Sequence, residues 1–204
     1  MWEAALHGFI LAWGLILPLG VQNVFVFNQG AAQPKLARAL PAVVTAAICD
    51  TLLILLAVLG VSLIVLSLAW LKTILYAVGT LFLAYMGWSI WRSEPPAPGN
   101  ASAGVGVRKQ IMFALSVSLL NPHAILDTIG VIGTSSLSYE GYAKAGFAAA
   151  AIAVSWIWFA GLAVAGRGMG RLDSSGRLLL LMNKLSAVVV WVMAVYMVKM
   201  LVFP

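Results

Sequence analysis

The sequence predicts an all-α integral membrane protein with six transmembrane helices, arranged as two inverted three-helix repeats in which helices one and four are broken. Three observations carry that expectation. Hydrophobic residues make up 63% of the 204 positions and charged residues only 9%, with a mean hydropathy of +1.03; a soluble globular chain has about 25% charged residues. Proline, amide and ionisable residues interrupt apolar runs in two places, Pro18 to Asn23 and Asn121 to Asp127. A proline- and glycine-containing stretch without apolar periodicity, Ser93 to Val107, divides the apolar segments three and three. At about 20 apolar residues per span, the chain holds six helices, short connections and hardly any soluble domain. Residues 1–204 therefore form one membrane domain, with a first half over 1–92, a linker over 93–109 and a second half over 110–204.

Helix one is expected over residues 6–27. Glu3 precedes it and no Lys or Arg does, unlike the basic start of a cleaved signal peptide, so the run is kept as a helix. Inside it Pro18 and Gly20 weaken the helix, and Gln22 and Asn23 arrive at the weak point. Glycine and proline are common in membrane helices, but that does not account for the two amides beside them. A turn from Asn28 to Ala39, with Gln29, Gly30, Pro34, Lys35 and Arg38, leads into helix two over 39–66. Asp50 lies about eleven residues inside that helix; its side chain is too short to snorkel, so it needs a partner or a cavity. Lys72 marks a polar break before helix three, 73–91, which ends in Trp88, Trp91 and Arg92 at an interfacial belt.

Helix four is expected over 110–133, helix five over 143–166 and helix six over 178–202. Helix five carries Ser155, Trp156, Trp158 and Phe159, whose rings are read as packing. Helix six carries Asn183, Lys184 and Lys199, and both lysines can snorkel to an interface. Helix four holds the most polar stretch at bilayer depth. Pro122 deletes a backbone donor and clashes with the carbonyl four residues back, which kinks or splits the helix. His123 and Asp127, four apart, share one face of the half that follows. An Asp at a helix centre costs about 2.5–3.5 kcal/mol on the insertion scale, so Asp127 is expected to face protein or a water-filled cavity. The structural alternative is a kinked helix whose polar groups satisfy one another. Ionisable residues in a membrane segment favour a substrate site instead.

Nine of the twelve basic residues fall on one side: Lys35 and Arg38; Arg92, Arg108 and Lys109; Arg167, Arg171, Arg177 and Lys184. Only Lys72, Lys144 and Lys199 lie on the other. The positive-inside rule then places both termini outside and the linker 93–109 in the cytoplasm. The basic excess is topological, so no nucleic-acid partner is expected. Cys49, the single cysteine, excludes an intrachain disulfide, and neither a metal-ligand cluster nor a cofactor motif is present.

The halves echo one another. Gly20-Val-Gln-Asn23 answers Asn121-Pro-His-Ala124, and Ala84-Tyr-Met86 answers Val195-Tyr-Met197. This fits an inverted repeat in which broken helices meet near the midplane and bind a charged solute.

Leu17-Pro-Leu-Gly-Val-Gln-Asn-Val-Phe-Val-Phe-Asn-Gln-Gly30 resembles the first-helix signature of the LysE-type amino-acid exporters, in particular the lysine and arginine exporter branch. Leu120-Asn-Pro-His-Ala-Ile-Leu-Asp127 resembles its fourth-helix signature. With Asp50, the run from Ser155 to Phe159 and the closing apolar helix, the similarity extends over essentially the whole chain. One departure is Val21, where the family usually has proline. The resemblance implies export of a basic amino acid across the cytoplasmic membrane of a bacterium, by the proton motive force or ion exchange, with the proton as the expected coupling ion and antiport as the expected mode. It is compatible with a homo-oligomer.

Such a solute carries an α-carboxylate, an α-ammonium and a distal cation. Half-helix amino termini just after Gly20 and around Pro122 would bind the carboxylate. Asp50 and Asp127, one from each half, would take the cation. Gln22, Asn23 and Asn121 would orient the solute, or else act as glue between helices. His123 would be a proton relay paired with Asp127 or a neutral brace for it. Export of another small amino acid and a cation channel remain alternatives. An intramembrane hydrolase built on the two aspartates lacks any nucleophile motif, so the chain is not expected to be an enzyme.

Overall fold

A computed structural model describes residues 1–18, 20–61, 68–92, 105–119, 121–172 and 177–202; within these, several side chains, including those of Lys72, Pro122 and His123, lie outside the description. The described residues form helices joined by turns and irregular connections, with no strand. In chain order they form α1 (Trp2–Ile16), α2 (Val21–Ala32), α3 (Leu40–Leu56), α4 (Ala69–Trp91), α5 (Val107–Leu119), α6 (Pro122–Asp127), α7 (Gly141–Leu172) and α8 (Arg177–Val202).

Both expected breaks are present. Helix one divides into α1 and α2, bent by 80°, and helix four into α5 and the segment beginning with α6, bent by 56°. At the first break Gly20 is the extended N-cap of α2 (ψ 176°), and its N–H donates to the Pro18 carbonyl at 2.8 Å. At the second, Asn121 precedes a proline, which disfavours helical dihedrals there; it sits at φ −88°, ψ 97° as N-cap of α6. Val21 and Pro122 thus both occupy the first helical position after a break. Proline is best tolerated at that position because its missing N–H has no helical partner to lose. Valine fits there equally well, so the break survives the departure from the family pattern.

α3 is entered through a 3₁₀ turn, Leu36–Ala39, and continues into a π-helical turn, Ala57–Val61. There Gly60 adopts φ 97°, a left-handed conformation that ends the regular helix. Residues 62–66 of the expected helix two lie outside the described residues. α6 likewise continues through a π-helical turn, Thr128–Gly133, to Thr134–Ser136, and the two π turns pack on each other. The fifth helix is longer than expected: 32 residues, or about 48 Å at 1.5 Å per residue. α1, α2 and α3 all pack along it, α3 also packs on α5, and α4 pairs with α8.

Three apolar clusters hold these contacts. Ala12, Ile54, Val58, Ile132, Phe147 and Val154 join α1, the end of α3 and the two π turns to α7. Val21, Leu83, Val117, Val190 and Met197 join α4 and α8 to α2 and α5. Val26, Phe27, Ala46, Phe159 and Leu162 join α2 and α3 to α7. Large apolar side chains also face outward, among them Leu52, Leu81, Val192 and Val195. So much exposed apolar surface suits lipid and not water. Three segments are long and apolar enough to cross a bilayer, Leu36–Gly60, Thr73–Trp91 and Gly141–Leu172, or up to five if each bent pair is one span. α8, with Lys184 and Lys199, falls outside that count.

Candidate functional site

The site is built on a close approach of α2 to α7. A Cβ at Gly30 would overlap the Ala163 carbonyl, and one at Gly166 the Phe27 carbonyl, so only glycine at these positions lets the backbones meet. This contact brings the first turn of α2 and the middle of α7 to the same residue of α3. Asp50 Oδ1 accepts a hydrogen bond from Gln22 Nε2 at 3.3 Å, and Oδ2 accepts one from Ser155 Oγ at 3.0 Å. Trp156 Nε1 donates to Thr51 Oγ1 at 3.1 Å and makes a second tie between α7 and α3. Both donors to Asp50 are neutral, and a carboxylate has about four lone-pair sites, so acceptor capacity remains for a further partner.

Asn23 holds the first break together. Its Nδ2 donates to the carbonyls of Ile16 at 2.7 Å and Pro18 at 2.8 Å, and its Oδ1 accepts from Trp158 Nε1 at 3.1 Å. A helix that stops at Ile16 leaves its last carbonyls without intrahelical donors, and the Asn23 amide supplies one to Ile16 while tying down Pro18 beyond it. Trp158 is itself packed edge-on against Trp13, with ring centroids 5.4 Å apart. The expectation that the helix-five aromatics pack is met at this residue, which also donates a hydrogen bond.

The two breaks open onto one cavity of about 140 Å³. Pro18, Gly20, Gln22, Asn23, Asp50, Asn121 and Asp127 all line it, joined by Thr128 and Ser155. Ala12, Ile54 and Ile132 of the first apolar cluster, Val21, Leu83 and Val190 of the second and Phe159 of the third complete its wall, so it lies where the clusters meet. A water needs about 10–15 Å³ by this measure, so there is room for several waters or the polar end of a small solute. α2 begins at the wall with Gly20 as N-cap and no capping side chain, which leaves the positive end of its dipole there. Asn121 Oδ1 is buried with no hydrogen-bond partner. Every sequence-predicted site residue whose side chain is described is therefore at this cavity. His123 lies on α6 between Asn121 and Asp127, and its side chain is outside the described residues.

The sequence reading passed over two wall residues. Ser155 stands among aromatic residues on an apolar helix; its one signal was a hydroxyl four residues before Phe159, on the same face. Thr128 follows Asp127 directly, and nothing in its spacing sets it apart. Among the described residues, no group of three or more His, Cys, Asp or Glu side chains could hold a metal ion.

A multi-pass helical protein whose two broken helices meet at one cavity, with a carboxylate from each half in an otherwise largely apolar wall, has the construction of a membrane carrier for small polar solutes. The LysE type translocator family model matches residues 14–201, and the chain belongs to that family. It is 60% identical over 194 residues to a protein of Bacillus subtilis (strain 168) provisionally named amino-acid transporter YisU, a match covering 95% of this chain and 88% of that one. It is 34% identical over 193 residues to the arginine exporter protein ArgO of Salmonella newport (strain SL254), covering 92% and 90%. A third relative, provisionally named amino-acid transporter YggA, from Aeromonas salmonicida, is 31% identical over 182 residues, covering 87% and 86%. No solved structure matches the chain.

Proposed function

We propose that this chain is a secondary carrier that exports a basic amino acid, arginine or lysine, across the cytoplasmic membrane of a bacterium in exchange for protons. The observation that carries the reading is the presence of Asp50 and Asp127, from different halves, on one cavity at the two helix breaks. Two carboxylates suit a distal cation, taken bidentately if it is a guanidinium and as a point charge if it is an ammonium. The α2 amino terminus suits the α-carboxylate. The unmet acceptor of Asn121 suits the α-ammonium, and Gln22 fixes Asp50 between substrate and Ser155. Asn23 acts by keeping the break in shape. His123, on the turn that carries Asp127, is its proton relay or its brace.

The arrangement behind this site is six spans in two inverted repeats. Its support is the pairing of elements: a two-fold relation exchanges helix one on helix five with helix four on helix two and maps the pair of helices three and six onto itself. Those contacts are all present, as α1 and α2 on α7, α5 on α3, and α4 on α8. Both termini lie outside and the linker 93–109 in the cytoplasm, by the nine-to-three split of basic residues.

The identity to ArgO supports arginine, and the name of YisU specifies no amino acid; the second reading is an exporter of another small amino acid. Efflux of labelled arginine, lysine and neutral amino acids from loaded cells, with counterflow in proteoliposomes, decides between them. Saturable arginine or lysine efflux with counterflow is expected. Efflux of neutral amino acids alone would establish the second reading, and flux without saturation or counterflow would make the protein a channel.

A further inference from the structure

On the other face of α2 lies a second cavity, of about 500 Å³, walled by α2, the end of α4 and the start of α5. Its volume falls in the range of about 300–1,000 Å³ typical of small-molecule sites. Val21 lines both cavities, so one side chain of wall separates them at that point. Beside it Phe25 and Phe113 are stacked, with ring centroids 4.3 Å apart and planes inclined by 31°, and both line the second cavity. Lys109 is the one ionisable residue in its described lining, and it is exposed, at the mouth. Asn28 lies further along α2; its Nδ2 donates to Asn183 Oδ1 at 2.6 Å, while its Oδ1 is buried without a donor. An ammonium and an unmet amide acceptor complement an α-carboxylate and an α-ammonium.

We propose that this cavity is a loading subsite for the zwitterionic end of the transported amino acid, with Lys109 pairing the α-carboxylate and Asn28 Oδ1 accepting from the α-ammonium, and with Val21 and the Phe25–Phe113 pair closing the way to the central cavity. The inference rests on the proposed carrier function and topology. The cavity is lined by the end of α4 and by Val105 and Lys109, at the end of the linker 93–109, which faces the cytoplasm in that topology. An exporter loads from there. Lys109 also repels a distal cation, so a basic amino acid enters with its cationic end ahead, toward Asp50 and Asp127. Lys109 is thus a positioning residue for loading and takes no part in the central site.

The test uses the full-length carrier in proteoliposomes of controlled sidedness, with the transported amino acid and the amine obtained by removing its carboxylate as a competitor. Lys109→Gln should raise the KM for the amino acid from the linker side about two- to fivefold, the loss of one solvent-screened ion pair, with maximal rate little changed. The KM from the opposite side should stay as in the wild type, the inhibition constant of the decarboxylated amine should not rise, since that competitor loses only a repulsion, and Lys109→Arg should restore the KM. Since Lys109 is exposed, the variant should melt at the wild-type temperature in detergent. An unchanged KM, an equal effect on amino acid and amine, or an effect confined to the opposite side would overturn the subsite while leaving the central site standing. Unimpaired transport by Asp50→Asn would overturn the carrier site itself, so the two failures are distinguishable.

Discussion

Replacing Asp50 by Asn removes one charge while keeping the shape and nearly all the local hydrogen bonding. The Asn carbonyl can still accept from Gln22 Nε2, now 3.3 Å from Oδ1, and its Nδ2 can donate to Ser155 Oγ, now 3.0 Å from Oδ2, by reversing that bond. Each bond then falls from the about 1.5–3 kcal/mol of a charged pair to the about 0.5–1.5 kcal/mol of a neutral one. Relief of the carboxylate's desolvation offsets that loss, so the net change in folding stability should be within about 1 kcal/mol. Transport should respond very differently. Truncating one partner of a buried, hydrogen-bonded charge pair costs about 2–5 kcal/mol, which corresponds to about 30-fold to several thousandfold in substrate recognition. Arginine counterflow into proteoliposomes and thermal melting of the purified variant in detergent measure the two effects separately. Efflux at the wild-type rate, or a loss of efflux that merely follows a loss of folded protein, would refute the argument.

Gly166→Ala should destabilise the protein by about 1–3 kcal/mol, because its Cβ would overlap the Phe27 carbonyl. Gly161→Ala, on the same helix with nothing within 4 Å of the place its methyl group would take, should be neutral or stabilising by about 0.5–1 kcal/mol. Melting temperatures of the two variants, which should move apart, check the α2–α7 approach. The topology is tested at the two ends of α7, with single cysteines at Tyr142, 87% exposed, and Leu172, 86% exposed, in a Cys49→Ser background. An impermeant thiol reagent should label the first and spare the second in intact cells, and the reverse pattern would invert the orientation. Finally, His123→Gln should abolish the pH dependence of export between about pH 6 and 8 if His123 relays a proton, and should lower the rate with an unchanged pH profile if it braces Asp127.

The class of protein and the positions of its weak points were legible in the residues themselves. Hydropathy and span length are local quantities, and so are the effects of Pro18, Gly20 and Pro122 on a helix. Asp50 and Asp127 stood out because a carboxylate at bilayer depth is costly wherever it sits, without knowledge of its neighbours. Some readings needed the fold even at this local level. Val21 looked like a missing proline, but at the first position of α2 either residue serves, and only the backbone reveals that position. Helix one, counted as a single span, bends by 80°, and the length of an apolar run carries no information about that angle.

What the tertiary structure alone decided is which polar groups meet. Ser155 and Asp50 are 105 residues apart, Asn23 and Trp158 135. Neither contact follows from a period or a spacing: the first depends on α3 packing along α7, the second on α2 settling against α7 at Gly30 and Gly166. The same packing sorted three similar-looking amides into different tasks: Gln22 holds Asp50, Asn23 holds the broken helix, and Asn121 keeps an unmet acceptor at the cavity. An amide's chemistry is written in its side chain, but the donors and acceptors within its reach belong to helices remote in the chain, so its role is set only once those helices are packed.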